Sequence, residues 1–345
     1  SLSHRRHMST YKHINRLVTS TYFRNLVYLR DTISSSCDLY FNKLHAPKVD
    51  LYMITQGVSS PMGKGSDSIA LPLKFGKKNA YLVDSAQFGM EPLVLKHHKM
   101  VYCYLPSFRG EKPDARHLNQ FYHCEAEIRG GLEMCLNTVN SLVKFIAQRV
   151  LDARAEELVY LNKKVVSVLE KTTQEQFPII TFDDAIRVLD RKVGTSGYKK
   201  YKFGRVITNT GEQELAKYVG KGLPVWVTHY DRDTVAFYQK PDSLNKEKVL
   251  NADLIFPSVC GGFGGEIVGA GQRQNKSSEM IESMHRQGIN NIYAYDWYLK
   301  LRKHKYYTTT SGFGLGIERL VAWMLCKKAI ADACIYPVMK DRILV

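Results

Sequence analysis

Two stretches of this chain carry residues suited to a phosphorylated ligand. The first is Phe108-Arg109-Gly110-Glu111, followed by Arg116-His117-Leu118; the second is Gly312-Phe313-Gly314-Leu315-Gly316-Ile317-Glu318-Arg319. An arginine offers a planar fork of donors that matches phosphate oxygens. Glycines at 312, 314 and 316 let the backbone approach a ligand. A helix expected to open directly from this glycine turn, over Leu315–Leu325, would direct its N–H groups at an anion, with Arg319 one turn in. The plain alternative for the second stretch is a helix start bearing a surface Glu318/Arg319 pair. In this order the two stretches could hold a triphosphate, which points to nucleotide-dependent activation of a carboxylate.

Further chemistry lies between them. Period-two alternation puts Phe121, His123, Glu125 and Glu127 on one face of a strand and Tyr122, Cys124, Ala126 and Ile128 on the other. One aromatic with two carboxylates is a poor core surface but suits a nucleoside; a solvated ladder of ion pairs is the alternative. Cys260 to Arg273 surrounds Glu266 with glycine and alanine. A carboxylate on so bare a backbone, with Asp253 upstream, fits Mg²⁺ held together with phosphates, whereas a flexible glycine loop would leave the glutamate incidental.

These residues need elements to position them. Val101–Phe108 and Phe121–Arg129 are rich in aromatic and β-branched residues and predict a hairpin with a long charged loop. Apolar residues at 132, 135, 136, 139, 142, 143, 146 and 150 predict a helix from Leu132 to Leu151, running on to about Leu158. Short strands are expected at Ala80–Val83, Val225–Tyr230 and Val235–Tyr238. The pattern predicts an α+β fold with a mostly antiparallel sheet flanked by helices. Neither Gly312-x-Gly314-x-Gly316 nor Gly63-Lys64-Gly65-Ser66 has dinucleotide or P-loop spacing.

The chain has 345 residues, 44% of them hydrophobic and 24% charged, as in an ordinary soluble globular protein. It has no run of about 18 apolar residues and no secretory signal, so neither a membrane span nor export is expected. Seven cysteines without a CxxC pair are expected as free thiols in a reducing cytoplasm. The net charge of +16 implies an acidic partner, nucleotide, nucleic acid or both. Residues 1–8 read as a tag remnant before a native Met8, leaving residues 9–345 as one domain.

Together the clusters resemble motif 2, the glutamate-bearing strand and motif 3 of class II aminoacyl-tRNA synthetases, in the aspartyl/asparaginyl subgroup, over roughly residues 20 to 345. The resemblance implies a class II antiparallel sheet flanked by helices and a homodimer formed through motif 1, here Tyr22 through Phe41 to Pro47. It implies ATP and Mg²⁺: Arg109 on the α-phosphate, Glu111 on the adenine amino group, Arg116 and His117 on the outer phosphates. Phe121 and Arg319 would flank the base, with Gly316 beside the nucleotide, and Asp253 and Glu266 would hold the metal. Arg109 and Arg319 are thereby the catalytic pair. Ser85-Ala86-Gln87 matches the family's Ser-x-Gln, where a small amino acid binds, and Arg273 matches its Gly-x-Gln-Arg-Glu run.

Met90-Glu91 and Gly269 follow the asparaginyl rather than the aspartyl pattern, which assigns Glu91 to the amino-acid pocket. The chain departs from the family around that pocket. Thr309-Thr310-Ser311-Gly312 replaces Pro-His-Gly-Gly, Lys303-His304-Lys305 stands near the substrate arginine, with Arg302 a neighbouring candidate, and Leu254–Gly265 looks like an insertion between the metal carboxylates. Lys303 is accordingly expected in the pocket. Motif 1 is entered within the first fifty residues, so the family's anticodon-binding domain is not expected before it, which resembles the freestanding archaeal asparagine synthetase-related enzymes. The expectation is therefore an adenylating ligase that passes its product to ammonia or another small amine. Truncated tRNA-charging and non-catalytic nucleotide binding are the alternatives.

Overall fold

The computed structural model describes residues 2–60, 62–66, 68–153 and 161–343. Helices α1 (Leu2–Thr19) and α2 (Thr21–Lys43) come first, and α1 takes in most of the segment set aside as a tag remnant. A small antiparallel sheet follows, with β1 (Ile54–Thr55), β2 (Leu71–Phe75) and β3 (Lys78–Leu82), and then the short α3 (Gln87–Met90).

The main sheet has nine strands. The expected hairpin is β4 (Met100–Phe108) and β5 (Gln120–Arg129), paired antiparallel with Cys103 opposite Glu125. The others are β6 (Ile179–Thr181), β9 (Val225–Thr228), β10 (Asn251–Phe256), β11 (Gly265–Gln272), β12 (Thr310–Gly316), β13 (Val338–Met339) and β14 (Arg342–Ile343). They run in the order β14-β13-β5-β12-β11-β10-β9-β6, with β4 on β5; β6 and β9 pair in parallel and the other strand pairs are antiparallel among the described residues. Strands β7 (Tyr198–Tyr201) and β8 (Gly204–Ile207) form a separate hairpin.

Behind the sheet lies α4 (Leu132–Ala153), whose stripe at Cys135, Leu136, Val139, Leu142, Val143, Ile146 and Val150 is buried. The expected continuation to Leu158 falls outside the described residues. Opposite that stripe, Cys124, Ala126 and Ile128 turn the inner face of β5 into the core, joined by Leu26, Leu29, Ile33 and Phe41 of α2. Each fully buried aliphatic or aromatic side chain of this kind contributes roughly 1.5–3 kcal/mol. Helices α5 (Lys163–Gln174), α6 (Phe182–Lys192) and α7 (Asn209–Leu215) pack at the β6–β9 end. Asn162 caps α5 and Thr181 caps α6. Helices α8 (Ser277–Arg286) and α9 (Asp296–Leu301) precede β12, and α10 (Ile317–Met324) follows it.

Two expectations change here. Gly312, Gly314 and Gly316 lie in a central strand rather than a turn, and the helix starts only at Ile317. Residues 235–238 are not a strand; Ala236, Phe237 and Tyr238 are buried beside Phe88, Met280 and Tyr298, so packing rather than ladder pairing explains their apolar run. Leu254–Gly265 forms the end of β10, a turn and the start of β11. The cysteines are free thiols, with Cys260 exposed. No helix among the described residues is long and apolar enough to cross a membrane.

Candidate active site

The register of four strands builds the floor of the site. Glu125 stands opposite Gly314, Gly314 opposite Gly269, and Gly269 opposite Asp253. Two residues further along, Glu127, Gly312, Gly271 and Asn251 repeat the row. Two columns of bare backbone thus run between walls of polar side chains. This floor opens into a cavity of about 480 Å³, in the range of small-ligand sites.

Arg109, Glu111, Arg116, His117, Phe121, Ser85, Gln87, Asp253, Glu266, Arg273, Gly316 and Arg319 all line this one cavity. They come from separate parts of the chain, and the sheet brings them together. Arg109 donates from Nη1 to Ser68 Oγ at 2.8 Å and lies 5.7 Å from the Phe121 ring centroid. Its Nε is buried without a partner, a donor left for a ligand. Glu111 accepts from the Ile69 N–H at 3.1 Å. Arg116 pairs with Glu212 at 2.6 Å and donates to the Gly264 carbonyl at 3.2 Å. His117 leans on Asp114 at 2.9 Å.

Arg319 donates to the Glu266 carbonyl at 2.9 Å, and its guanidinium is 3.5 Å from the Glu266 carboxylate. Gly316, at the N-cap of α10, offers no side-chain cap. Glu318 is no surface residue. It is buried, bound to Arg30 of α2 at 2.8 Å and to the Tyr122 N–H at 2.8 Å.

The acidic groups divide by environment. Burial, reinforced by the charge of Glu266, pushes the Asp253 carboxyl well above the ordinary range, and the Tyr230 hydroxyl bonds to it. A Cβ at position 269 would lie 3.3 Å from Glu266 Oε1 and 3.7 Å from Asp253 Oδ1, so both carboxylates converge over bare glycine. Burial and Glu266 likewise raise Glu212 against the pull of Arg116. Burial would also raise Glu125, but bonds from His123, the Ala86 N–H and Ser85 outweigh it and hold that carboxyl below its usual value.

Among the described residues no three His, Cys, Asp or Glu side chains form a metal cage. Converging Asp253 and Glu266 still suit Mg²⁺, which takes one or two carboxylates and completes its shell with water and phosphate oxygens.

Two predicted pocket residues lie elsewhere. Lys303 is exposed and does not line the cavity. Its neighbour Arg302 is buried and grips Glu91 at 2.9 and 3.1 Å. Glu91 is held by that ion pair and by the Thr310 hydroxyl at 3.0 Å, outside the cavity lining. A charged pair takes this arrangement because an unpaired buried carboxylate is costly. Glu212, Ser68, Tyr230 and Gln239 line the cavity unannounced by any motif. Only Gln239, a polar residue beside the Phe237-Tyr238 run, broke a local pattern.

This fold, with three arginines facing paired carboxylates over a glycine floor, is that of a class II tRNA synthetase core. The family model for tRNA synthetases class II (D, K and N) matches residues 10–340, and the chain belongs to that family. Among curated relatives, it is 34% identical over 273 residues to the asparagine–tRNA ligase of Pyrococcus abyssi (strain GE5 / Orsay), covering 79% of this chain and 59% of the relative. It is 30% identical over 282 residues to the probable cytoplasmic asparagine–tRNA ligase of Encephalitozoon cuniculi (strain GB-M1), covering 78% and 58%. The chain thus spans under two thirds of the length of these relatives. The asparaginyl-tRNA synthetase of Pyrococcus horikoshii complexed with asparaginyl-adenylate superposes with a TM-score of 0.85 at 28% identity, over 96% of this chain and 72% of that one.

Proposed function

We propose that this chain adenylates asparagine, releasing pyrophosphate, and passes the activated amino acid to tRNA. The observation that carries the reading is the gathering of Arg109, Arg116, Arg319, Asp253 and Glu266 around one cavity. In the reaction an amino-acid carboxylate oxygen attacks the α-phosphorus of ATP and the bond to the bridging β-phosphate oxygen breaks, giving aminoacyl-AMP and pyrophosphate. Arg109 meets the charge developing at the α-phosphate, while Arg116, His117 and Arg319 hold the departing phosphates. Glu111 and Phe121 would receive the adenine, and Ser85, Gln87 and Arg273 the amino acid. Asp253 and Glu266 would hold Mg²⁺, which supplies neutralisation of phosphate charge. The remaining contribution is positioning.

This acceptor differs from the ammonia expected from the sequence. The ammonia expectation rested on where the chain begins, whereas the curated relatives are named asparagine–tRNA ligases. Exposed Val27, Leu39 and Leu44 on and beside α2 support a homodimer through this element. The word cytoplasmic in one relative's name supports that location.

The test is to supply the protein with ATP, Mg²⁺ and labelled asparagine, then either unfractionated tRNA or ammonium. Label precipitating with tRNA supports the reading; free product formed only with ammonium would reinstate ammonia as the acceptor.

A further inference from the structure

From Arg191 to Arg205 the chain carries Arg191, Lys192, Lys199, Lys200, Lys202 and Arg205 and no carboxylate. Their fates differ. Arg205 turns inward, bonding Asp231 at 2.8 Å and Asp183 at 2.5 Å. Lys192 lies over the Tyr218 ring, 4.5 Å from its centroid. Lys199, Lys200 and Lys202 stand exposed on the β7–β8 hairpin and make no ion pair among the described residues. Between them Tyr201 is 41% exposed and stacks on Phe203 at 4.9 Å and 6°.

The hairpin is anchored at the rim of the cavity. The Phe203 ring is wedged against the loop before β2, where a Cβ on Gly65 would lie 3.2 Å away. Arg205, Val206 and Ile207 of the return strand line the cavity itself. The hairpin thus carries three exposed lysines around a stacked aromatic pair, and its return strand borders the site. The lysines do not line the cavity, so they are not placed to serve the nucleotide. Lysines beside an exposed tyrosine ring are what single-stranded nucleic acid uses: phosphates meet the ammonium groups and a base stacks on the ring.

We propose that the β7–β8 hairpin is the docking surface for the single-stranded end of the RNA acceptor, guiding it into the cavity. This rests on the tRNA acceptor proposed above and adds the surface that receives it. The charge-reversed triple variant Lys199→Glu/Lys200→Glu/Lys202→Glu and the single variant Tyr201→Ala test it in the full chain. Asparagine-dependent ATP–pyrophosphate exchange should stay at the wild-type rate. The apparent KM for unfractionated tRNA should rise about tenfold or more in the triple variant. Its tRNA affinity should also depend on salt less steeply, by about one unit of log–log slope for each phosphate no longer neutralised. Tyr201→Ala should weaken tRNA without changing that slope, since stacking releases no counterions.

Unchanged tRNA affinity and charging in both variants would overturn the assignment. So would loss of exchange in the triple variant with its circular dichroism intact, since the hairpin would then serve the nucleotide site. If the wild type shows no exchange with any amino acid, the adenylation reading fails instead. Fluorescence anisotropy with labelled tRNA then still decides on the hairpin: weaker binding by the triple variant supports it, and equal binding overturns it.

Discussion

Arg273 donates from Nε and Nη2 to the two carboxylate oxygens of Glu127, each bond 2.9 Å long, with both side chains closed off from solvent. This pair lies at the end of the glycine floor, where a Cβ on Gly312 would run into both side chains. Removing one partner leaves the other charge buried and unpaired. Glu127→Ala should therefore cost about 3–5 kcal/mol in urea unfolding, whereas Lys300→Ala, which breaks only the exposed pair with Asp296, should cost about 0–1 kcal/mol. Equal losses would show that the buried pair is no special support.

Gly269 is the point where Asp253 and Glu266 converge. Gly269→Ala puts a methyl between the two carboxylates without a forbidden backbone angle. Mg²⁺ dependence of exchange should weaken about 10–100-fold while the unfolding midpoint stays near wild type. A parallel fall in stability would point to a packing fault instead.

Glu125 governs an acid limb of stability. Its folded pKa lies below the unfolded value, so the unfolded chain binds the proton first as pH falls. The stability it contributes is complete above the unfolded carboxylate range and is lost as pH drops through the lower folded value. Glu125→Gln should be less stable than wild type at pH 7 and show a flatter decline below pH about 4.5. A variant whose pH profile runs parallel to wild type would remove Glu125 from this role.

Gln239 packs its amide against Gly271, and its Oε1 is buried without a partner at the cavity wall beside Arg273 and Tyr238. An amide oxygen left unpaired there is ready for a donor on a polar substrate group. Gln239→Leu should raise the KM for the amino acid about tenfold, the worth of one hydrogen bond, and leave the KM for ATP unchanged. A change confined to ATP would place the amide at the nucleotide end.

Much of this site was legible along the chain because its signals are local. The alternation of Phe121, His123, Glu125 and Glu127 on β5 and the stripe of α4 depend only on neighbours two to four residues apart. Gly312, Gly314 and Gly316 misled because glycine marks turns in isolation. Inside this sheet it serves instead to keep the floor bare between facing carboxylates. Lys303 and Arg302 are adjacent in sequence, and only tertiary packing decides that Arg302 meets Glu91 while Lys303 stays outside. Glu212 reaches Arg116 across 96 positions, a separation beyond any motif.

Adenylation at this cavity is tested head-on by asparagine-dependent ATP–pyrophosphate exchange in the wild type and Arg109→Ala, surveyed across the twenty amino acids. Exchange should be faster with asparagine than with the others, and should fall about 100-fold or more in Arg109→Ala with folding intact. No exchange with any amino acid, or exchange that Arg109→Ala leaves unchanged, would contradict adenylation at this site.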